Sequence, residues 1–422
     1  MKKIKGTHDL IFKEITKWQI VENKLKNILN IYNFQEIRTP IIEYEEVFIR
    51  SAQYSEMVQK ETFKFQDKKG RKIVLRPEGT APIVRSYIEN KLQKNDLYKF
   101  FYNGPFFRYE RPQKGRYRQF HQFGIEIIGC KNLLSEIEIL LLIQEIINIF
   151  NLTSSSKIKI NYLGNKNSRE NFLKVFNIYI NNKKKELCSL CLKRSKKNIL
   201  RILDCKKCSN ENFLKNNPSI LDYLDKDSKI KFNKIIQILE KTQVNFEIDN
   251  KLVRGLDYYT DLVFELEIIS EKNKKTLSLG GGGNYNELFE IFKGEKINCI
   301  GFAFGIERLI SVLEENNFFS KLEKENNLDV FLFVLESELI LKAFFLLNKI
   351  RKKNIKIEMN YKIDNFQKKF QKIFKKKPKY IIFLGKKEIS QNILTIKKVG
   401  TKKEYTFDEE TGINFLIKEL FK

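Results

Sequence analysis

Six consecutive residues, RGLDYY at positions 254–259, bring together a guanidinium, a carboxylate and two phenols. An unpaired charge buried beside aromatic rings is costly, so Arg254 calls for an anion, and a bound ligand could supply it. A second cationic group lies in FRYERPQKGRYRQFHQFGIE, residues 107–126, where Arg108, Arg111, Arg116 and Arg118 occupy a glycine-containing loop between two strand-like runs. Planar guanidinia grip phosphate oxygens in bidentate pairs, so this loop suits a triphosphate; taken alone, it suits an RNA backbone as well. GFAFGIERL, residues 301–309, adds Arg308 in the first turns of a helix, after Gly301 and Gly305, which permit close backbone approach. Acids stand among these cations: Glu78 in LRPEGTA, Glu110 and Glu126. Any one of them alone would pass as a helix-cap or strand-end carboxylate.

Four of the six cysteines form two short pairs, Cys188 with Cys191 and Cys205 with Cys208, while Cys130 and Cys299 stand apart in apolar surroundings. Each C-x-x-C supplies one tight turn with two thiolates, and two such turns complete a tetrahedral zinc site. Four reduced thiols without metal fit the same spacing. The opening MKKIKGTHDL has no apolar h-region, and in a chain of that kind paired cysteines read as metal ligands before disulfides.

These groups need elements to hold them. Trp18, Val21, Leu25, Ile28, Leu29 and Tyr32 recur at steps of three and four, the stripe of a helix laid on a sheet. EIRTPIIE follows with Pro40 inside a strand-like run, where a missing N–H is tolerated only at an edge or a break. FKFQ and RKIVLR flank DKKG and predict a hairpin with Gly70 in the left-handed position. LRPEGTA then sits at a strand end, with Thr80 as N-cap of a helix carrying Ile83, Val84, Tyr87, Ile88 and Leu92. KFFYNGPFFRYE and FGIEIIG are strands on either side of the arginine loop, a helix covers about residues 133–150, and KIKINYLG is a further strand. Residues 165–243 turn helical, Lys-rich and cysteine-bearing, which marks an inserted subdomain. Strand character returns in NFEI, KLVRGLDYYT, LVFELEII, the glycine run LSLGGGGNYNEL and CIGFAFGIERLISVL. Beyond a polar linker and a boundary near Asn327, VFLFVL, IKIEMN, FQKKFQKIF, YIIFLG and ILTIKKV alternate strand and helix signals, predicting a small, mostly parallel sheet.

Lys plus Arg number 79 against 52 Asp plus Glu, a formal net charge of +27, which suits a polyanion such as nucleic acid. Lys, Asn and Ile are used heavily throughout, as an A/T-rich genome imposes, so charge by itself argues weakly for RNA. The 422 residues allow two to four domains at about 100–200 residues each. No run of about 18 uncharged apolar residues occurs, so a cytoplasmic chain without a membrane span is expected.

Pro40, the FRYE loop and the glycine strand leading to Arg308 reproduce, in order, the three motifs of class II aminoacyl-tRNA synthetases. With LRPEGTA and RGLDYY added, the chain resembles histidyl-tRNA synthetases over essentially its whole length. The resemblance implies an α+β fold: a class II catalytic core of antiparallel sheet and helices, a helical insertion subdomain, and a C-terminal α/β anticodon-binding domain. It divides the chain into core residues 1–164, an insertion at 165–243 that holds the cysteine pairs, core residues 244–326 and an anticodon-binding part at 327–422. It also implies a homodimeric ligase that joins L-histidine to tRNA(His) through histidyl-adenylate, using ATP with Mg²⁺.

By that resemblance Arg254 and Arg108 serve catalysis. Glu78, Gly79, Thr80, Arg108, Gln122, Glu126, Arg254, Tyr258 and Tyr259 bind histidine, and Arg108, Glu110, Arg116, Phe120 and Arg308 bind ATP. Glu126 accepting the imidazole N–H would reject a phenylalanine-like competitor, because a buried carboxylate left unpaired is costly. Cys188, Cys191, Cys205 and Cys208 are candidates for structural Zn²⁺. Two departures stand out. Where the family commonly reads GGRYD, Gly282 and Gly283 precede Asn284, Tyr285 and Asn286, and Lys5 replaces a usual Arg. The rival is a non-catalytic regulatory relative, but such proteins lack the anticodon domain and tend to lose the ATP arginines, whereas this chain has both.

Overall fold

The stripe from Trp18 onward does form a helix, Lys13–Ile31, which buries Trp18, Val21, Leu25 and Leu29. The structure is a computed structural model that describes every residue except 53–54, 94–95, 114, 131, 210, 257, 271–275, 321–327, 362–372, 374–375 and 422. It is of α+β class, in two units, Met1–Phe318 and Phe319–Lys422. Among the described residues no helix is long and apolar enough to cross a membrane.

The first unit is built on a sheet of β1 (Gln35–Glu36), β5 (Tyr98–Phe107), β6 (Gln119–Ile128), β11 (Cys299–Gly305), β10 (Thr276–Asn284), β9 (Thr260–Ile269), β7 (Ser156–Tyr162) and β8 (Phe246–Ile248), in that spatial order. The inner strands are antiparallel, and each edge strand runs parallel to its neighbour. A smaller antiparallel sheet, ordered β2 (Ile42–Tyr44), β4 (Lys72–Leu75), β3 (Lys64–Gln66), contains the expected hairpin. Gly70 closes that hairpin with φ of 75°. Pro40 falls between β1 and β2 and belongs to neither, as its missing N–H requires.

One face of the main sheet is almost bare. Side chains alternate along a strand, so Gln122, Gly124 and Glu126 of β6 share a face. Opposite them on β11 stand Gly305, Ala303 and Gly301, and opposite the last two on β10 stand Gly281 and Gly283. Larger groups fill the space. A Cβ would lie 1.7 Å from Glu126 Oε2 on Gly301, 2.4 Å from Arg254 Nη1 on Gly281, and 2.2 Å from Tyr102 Cζ on Gly124. The other face is densely apolar, with Phe302 and Phe304 of β11 among the fully buried rings, and the Leu134–Ile149 helix adds Ile139, Leu140, Leu142 and Ile143.

Two local expectations need correction. The Thr80–Glu89 helix has Gly79 at its N-cap, and the Glu78 carboxylate accepts from the N–H groups of Thr80 at 2.7 Å and Ala81 at 3.0 Å. Glu78 therefore does the capping, and the Thr80 hydroxyl is free for other work. KLVRGLDYYT is not a strand: β9 begins only at Thr260. Leu252 and Val253, neighbours in sequence, both enter one apolar cluster, which an alternating strand forbids.

The chain between β7 and its parallel neighbour β8 contains the helices Lys166–Asn182, Ser189–Lys197 and Lys226–Lys241. The last of these buries Phe232, Ile235 and Leu239, and Phe232 packs on Tyr162 of β7 with ring centroids 5.3 Å apart. Asn284 accepts from Leu262 N–H at 3.1 Å and donates to Glu136 Oε1 at 3.2 Å. Asn286 donates to Asp261 Oδ2 at 3.0 Å and accepts from Cys299 N–H at 2.8 Å. The two amides thus pin different elements, without bonding to each other.

In the second unit, β12 (Val330–Val334), β13 (Ile357–Met359), β14 (Tyr380–Leu384), β15 (Leu394–Lys398) and β16 (Glu404–Phe407) are ordered β13-β12-β14-β15-β16. The sheet is mixed, with β13, β12 and β14 parallel but β14, β15 and β16 antiparallel. The expectation of a mostly parallel sheet fails because the β14–β15 link holds only the short helix Lys386–Ser390, and a parallel crossover needs a dozen residues or more. Helices Ile340–Arg351 and Glu409–Leu420 complete its core. The boundary near Asn327 and most of FQKKFQKIF lie outside the described residues.

Gly282 tests the bare strands. A Cβ there would stand 1.9 Å from the Gly301 carbonyl oxygen, so the two backbones would have to part. Gly282→Ala should lower stability by about 1–3 kcal/mol, measured by denaturant unfolding.

Candidate active site

A cavity of about 190 Å³ opens above the bare face, lined by Arg108, Glu110, Arg116, Phe120, Gln122, Arg254 and Arg308 together with Gly281 and Gly305. The cationic groups from the arginine loop, the RGLDYY run and the last core helix thus share one cleft. Arg108 donates from Nε to the Pro77 carbonyl at 2.9 Å and lies 5.1 Å from the centre of the Phe120 ring. Arg116 Nη1 is 3.4 Å from Glu110 Oε2. Arg308, in the Ile306–Glu315 helix, donates to the carbonyls of Gly115 at 3.1 Å and Ser278 at 2.7 Å. Burial, and then the Arg116 charge, push its guanidinium below the usual range. Arg118 instead stacks on Tyr109 at 4.0 Å, and Arg111 is exposed. Only part of the arginine loop faces the cavity.

Arg254 has an anion from the protein itself. Its Nη1 donates to Glu265 Oε2 on β9 at 2.6 Å, while Nε is buried without a hydrogen-bond partner. Glu265 escaped the sequence analysis, although a signal exists: strand alternation in LVFELEII puts it on one face with Glu267, and register sets it opposite Gly281.

A second set, buried except for the half-buried Tyr259, lies beside the cavity. Thr80 Oγ1 donates to Glu126 Oε1 at 2.9 Å, and the Tyr258 hydroxyl donates to Glu78 Oε2 at 3.4 Å. The rings of Tyr258 and Tyr259 pack with centroids 4.8 Å apart. Tyr102, which the sequence did not single out, lies against the backbones of Gly79 and Gly124, where a Cβ would meet its ring at 2.4 and 2.2 Å. Nothing in its local spacing could have revealed this, because the contact depends on β5–β6 register.

Burial dominates the electrostatics. It raises the Glu78 carboxyl against the opposing pull of the Ala81 and Thr80 N–H groups. Burial pushes Glu126 up to about 8, even with the Thr80 hydroxyl favouring the charged form. Tyr259 rises to about 12 through burial, although the Arg254 charge draws it down. Arg254 Nε, Gln122 Oε1, Glu126 Oε2 and the Tyr285 hydroxyl are all buried without a hydrogen-bond partner among the described residues. Beside the Tyr285 hydroxyl, which can donate or accept, the unused Arg254 donor and the unused oxygens of Gln122 and Glu126, the latter accepting once its carboxyl ionises, match a ligand that carries both an anion and N–H groups.

The sulfur atoms of Cys188, Cys191, Cys205 and Cys208 all lie within 4.8 Å of one another. Two of the separations, Cys188 to Cys205 and Cys191 to Cys208, are 3.7 Å. A tetrahedron with Zn–S bonds of ~2.3 Å has edges of ~3.8 Å, whereas a disulfide needs ~2.05 Å. These residues therefore fit a tetrahedral thiophilic ion. At Cys188 burial raises the thiol, but the Cys191 N–H and the neighbouring sulfurs outweigh it and bring the group down to about 6.

Glu126 carries a pH signature. Its carboxyl titrates at about 8 in the folded chain against 4.5 as the ordinary value, so the folded state holds the extra proton between those limits. Stability contributed by the neutral carboxyl is complete below the lower limit and is lost as pH rises toward the upper one. Thermal melts without ligand should show Glu126→Gln gaining on the wild type across that window. Parallel melting curves would show that the carboxyl is already ionised there.

Comparison with known proteins agrees with this geometry. Residues 6–309 match the family model described as histidyl-tRNA synthetase, and residues 329–419 match an anticodon binding domain. The histidine--tRNA ligase of Phytoplasma mali is 50% identical over 423 residues, covering 100% of this chain and 99% of that protein. The ligase of Bacillus licheniformis is 40% identical over 415 residues, covering 98% and 97%. The apo structure of S. aureus histidyl-tRNA synthetase matches with a TM-score of 0.84 at 34% identity, over 99% of this chain and 100% of that one. Alike in sequence from end to end and in the path of the folded backbone, the chain belongs to the histidyl-tRNA synthetase family.

Proposed function

We propose that the chain is a histidine–tRNA ligase of the cytoplasm, which activates L-histidine with ATP and transfers it to tRNA(His). The observation that carries this reading is the set of unpaired buried atoms, Arg254 Nε and Gln122 Oε1 on the cleft and Glu126 Oε2 in the buried set beside it. Histidine satisfies them in kind: a carboxylate for Arg254, an ammonium for Gln122 with Glu78 and Thr80, and an imidazole N–H for Glu126, beside Tyr258, Tyr259 and the Gly79 backbone. The triphosphate lies along Arg108, Arg116 and Arg308, with Glu110 at the adenine amino group and Phe120 at the ring.

A carboxylate oxygen of histidine attacks the α-phosphorus in line, and the bond to the departing pyrophosphate breaks. Fixed guanidinia at Arg108 and Arg254 stabilise the charge that builds on the equatorial oxygens without having to reorganise. Mg²⁺ arriving with the nucleotide supplies charge neutralisation at the remaining phosphates. A terminal ribose hydroxyl of the tRNA then attacks the acyl carbon, losing its proton as AMP leaves.

The four-cysteine cluster holds structural Zn²⁺, and residues 165–243 form the inserted subdomain that carries it. Residues 327–422 read the anticodon arm, which the formal charge of +27 and the match of residues 329–419 support. Two copies pair about a two-fold axis through the small sheet, where Ile42, Tyr44 and Phe65 are exposed apolar side chains. The retained arginines and the second unit favour a ligase over a regulatory relative.

Histidine-dependent exchange of labelled pyrophosphate into ATP should be measurable. Arg254→Ala should lower it on the order of a hundredfold or more while the circular dichroism spectrum is kept. Exchange that is indifferent to histidine, or absent in a folded sample, rejects the ligase reading.

A further inference from the structure

The apolar core around the cysteine cluster does not end at the insertion. Cys191, Cys205 and Cys208 share one buried cluster with Leu252 and Val253, and Tyr259 packs against it. Leu252 and Val253 lead directly into Arg254, so the two flanks of the RGLDYY run rest on the same core as the thiols. A second connection is polar. Arg201 reaches over the run, with Nη1 3.1 Å from where a Cβ would stand on Gly255. Its other terminal nitrogen, Nη2, bonds Asp204 Oδ2 at 2.9 Å, and Arg194 holds the opposite oxygen of Asp204 at 2.9 Å and the Arg201 carbonyl at 2.6 Å. Asp204 immediately precedes Cys205. Arg201 Nε is buried and makes no hydrogen bond among the described residues.

The turn between the two cysteine pairs is therefore tied to the cluster at one end and lies on the substrate loop at the other. We infer that the four-cysteine cluster, filled by zinc, fixes the Asp204 and Arg201 pair, and that Arg201 is a positioning residue which holds residues 253–259 in place for histidine. Zinc fits because all four sulfurs lie within 4.8 Å of one another and two of their separations, 3.7 Å, are close to the edge of a tetrahedral thiolate site, ~3.8 Å. Arg201 needs the cluster because its own contacts are short-range. Asp204 would otherwise move with an untied turn, and among the described residues no other side chain bonds the Arg201 guanidinium to direct it over Gly255. A Cβ at Gly255 would press on Nη1 at 3.1 Å, so the guanidinium would have to give by a few tenths of an ångström. The inference rests on the proposed ligase activity for its catalytic readout, but not for its structural one.

The test uses the full chain as purified. Zinc is counted by mass spectrometry, amide hydrogen exchange is followed over residues 252–260, and kcat and KM for L-histidine come from pyrophosphate exchange at saturating ATP. Arg201→Ala should keep about one zinc per chain. It should speed exchange of the loop amides, raise KM for histidine about tenfold, lower kcat because Arg254 moves with the loop, and leave KM for ATP within about twofold. Arg201→Lys should restore part of the affinity, because it keeps the charge but not the fork. Removing zinc from the wild type with a chelator should reproduce these changes, and removing it from Arg201→Ala should add little, since both act through one contact.

Loop exchange unchanged in Arg201→Ala would overturn the proposal, as would fully additive effects or a chain that carries no zinc and takes none up. Should stripping unfold the insertion, the zinc-bearing Arg201 variants still decide. If the loop responds but no histidine-dependent pyrophosphate exchange is found, the ligase reading falls and the positioning role stands.

Discussion

Charged groups from distant parts of a chain can meet only where the framework leaves them room, and here that room comes from a sheet face whose two middle strands carry almost no side chains. Gly281, Gly283, Gly301, Ala303 and Gly305 stand side by side across β10 and β11. Arg254 lies on one of them and the Glu126 carboxylate on another. Glycine within strands costs roughly 0.5–1 kcal/mol per position relative to alanine. The opposite face offsets that cost with Phe264, Phe302 and Phe304, all fully buried. The two faces of the same strands thus divide the labour, one for cohesion and one for chemistry.

The acids are placed where water cannot reach them, and the protein partly satisfies them itself. Glu78 is occupied with the first N–H groups of a helix, Glu126 with the Thr80 hydroxyl, and Arg254 with Glu265. What remains is a small number of unmet hydrogen-bonding positions rather than bare charges. On the proposed reading such a site would discriminate by what a ligand fails to supply, since a competitor without the matching N–H would leave a buried carboxylate unpaired.

Much of this was legible in the sequence. Periodicity gave the first helix, turn chemistry gave the Gly70 hairpin, and residue type gave the cations that line the cavity. The same signals misled where tertiary packing decides. KLVRGLDYYT has strand composition, yet Leu252 and Val253 turn the same way into the insertion core. Thr80 has the right type for a cap, but Glu78 is better placed and takes the N–H groups. Tyr102 was invisible, and alternation marked only which face Glu265 takes, because their importance lies in cross-strand register and single-sequence patterns carry no record of which strands become neighbours. In the second unit β16 escaped notice, and with it the antiparallel half of the sheet.

The helical stretch proposed as an insertion occupies a telling place. It connects β7 to β8, which are adjacent and point in the same direction, so the chain was obliged to travel back across the sheet whatever it carried on the way. Lengthening an excursion that already exists adds only about 0.6 kcal/mol of closure entropy per doubling. A hairpin elsewhere in the sheet would have offered no such tolerance. Extra structure could accordingly accumulate at this one crossing while the order of the strands around it stayed intact, and trimming it back would still have to leave the Lys226–Lys241 helix as a return path.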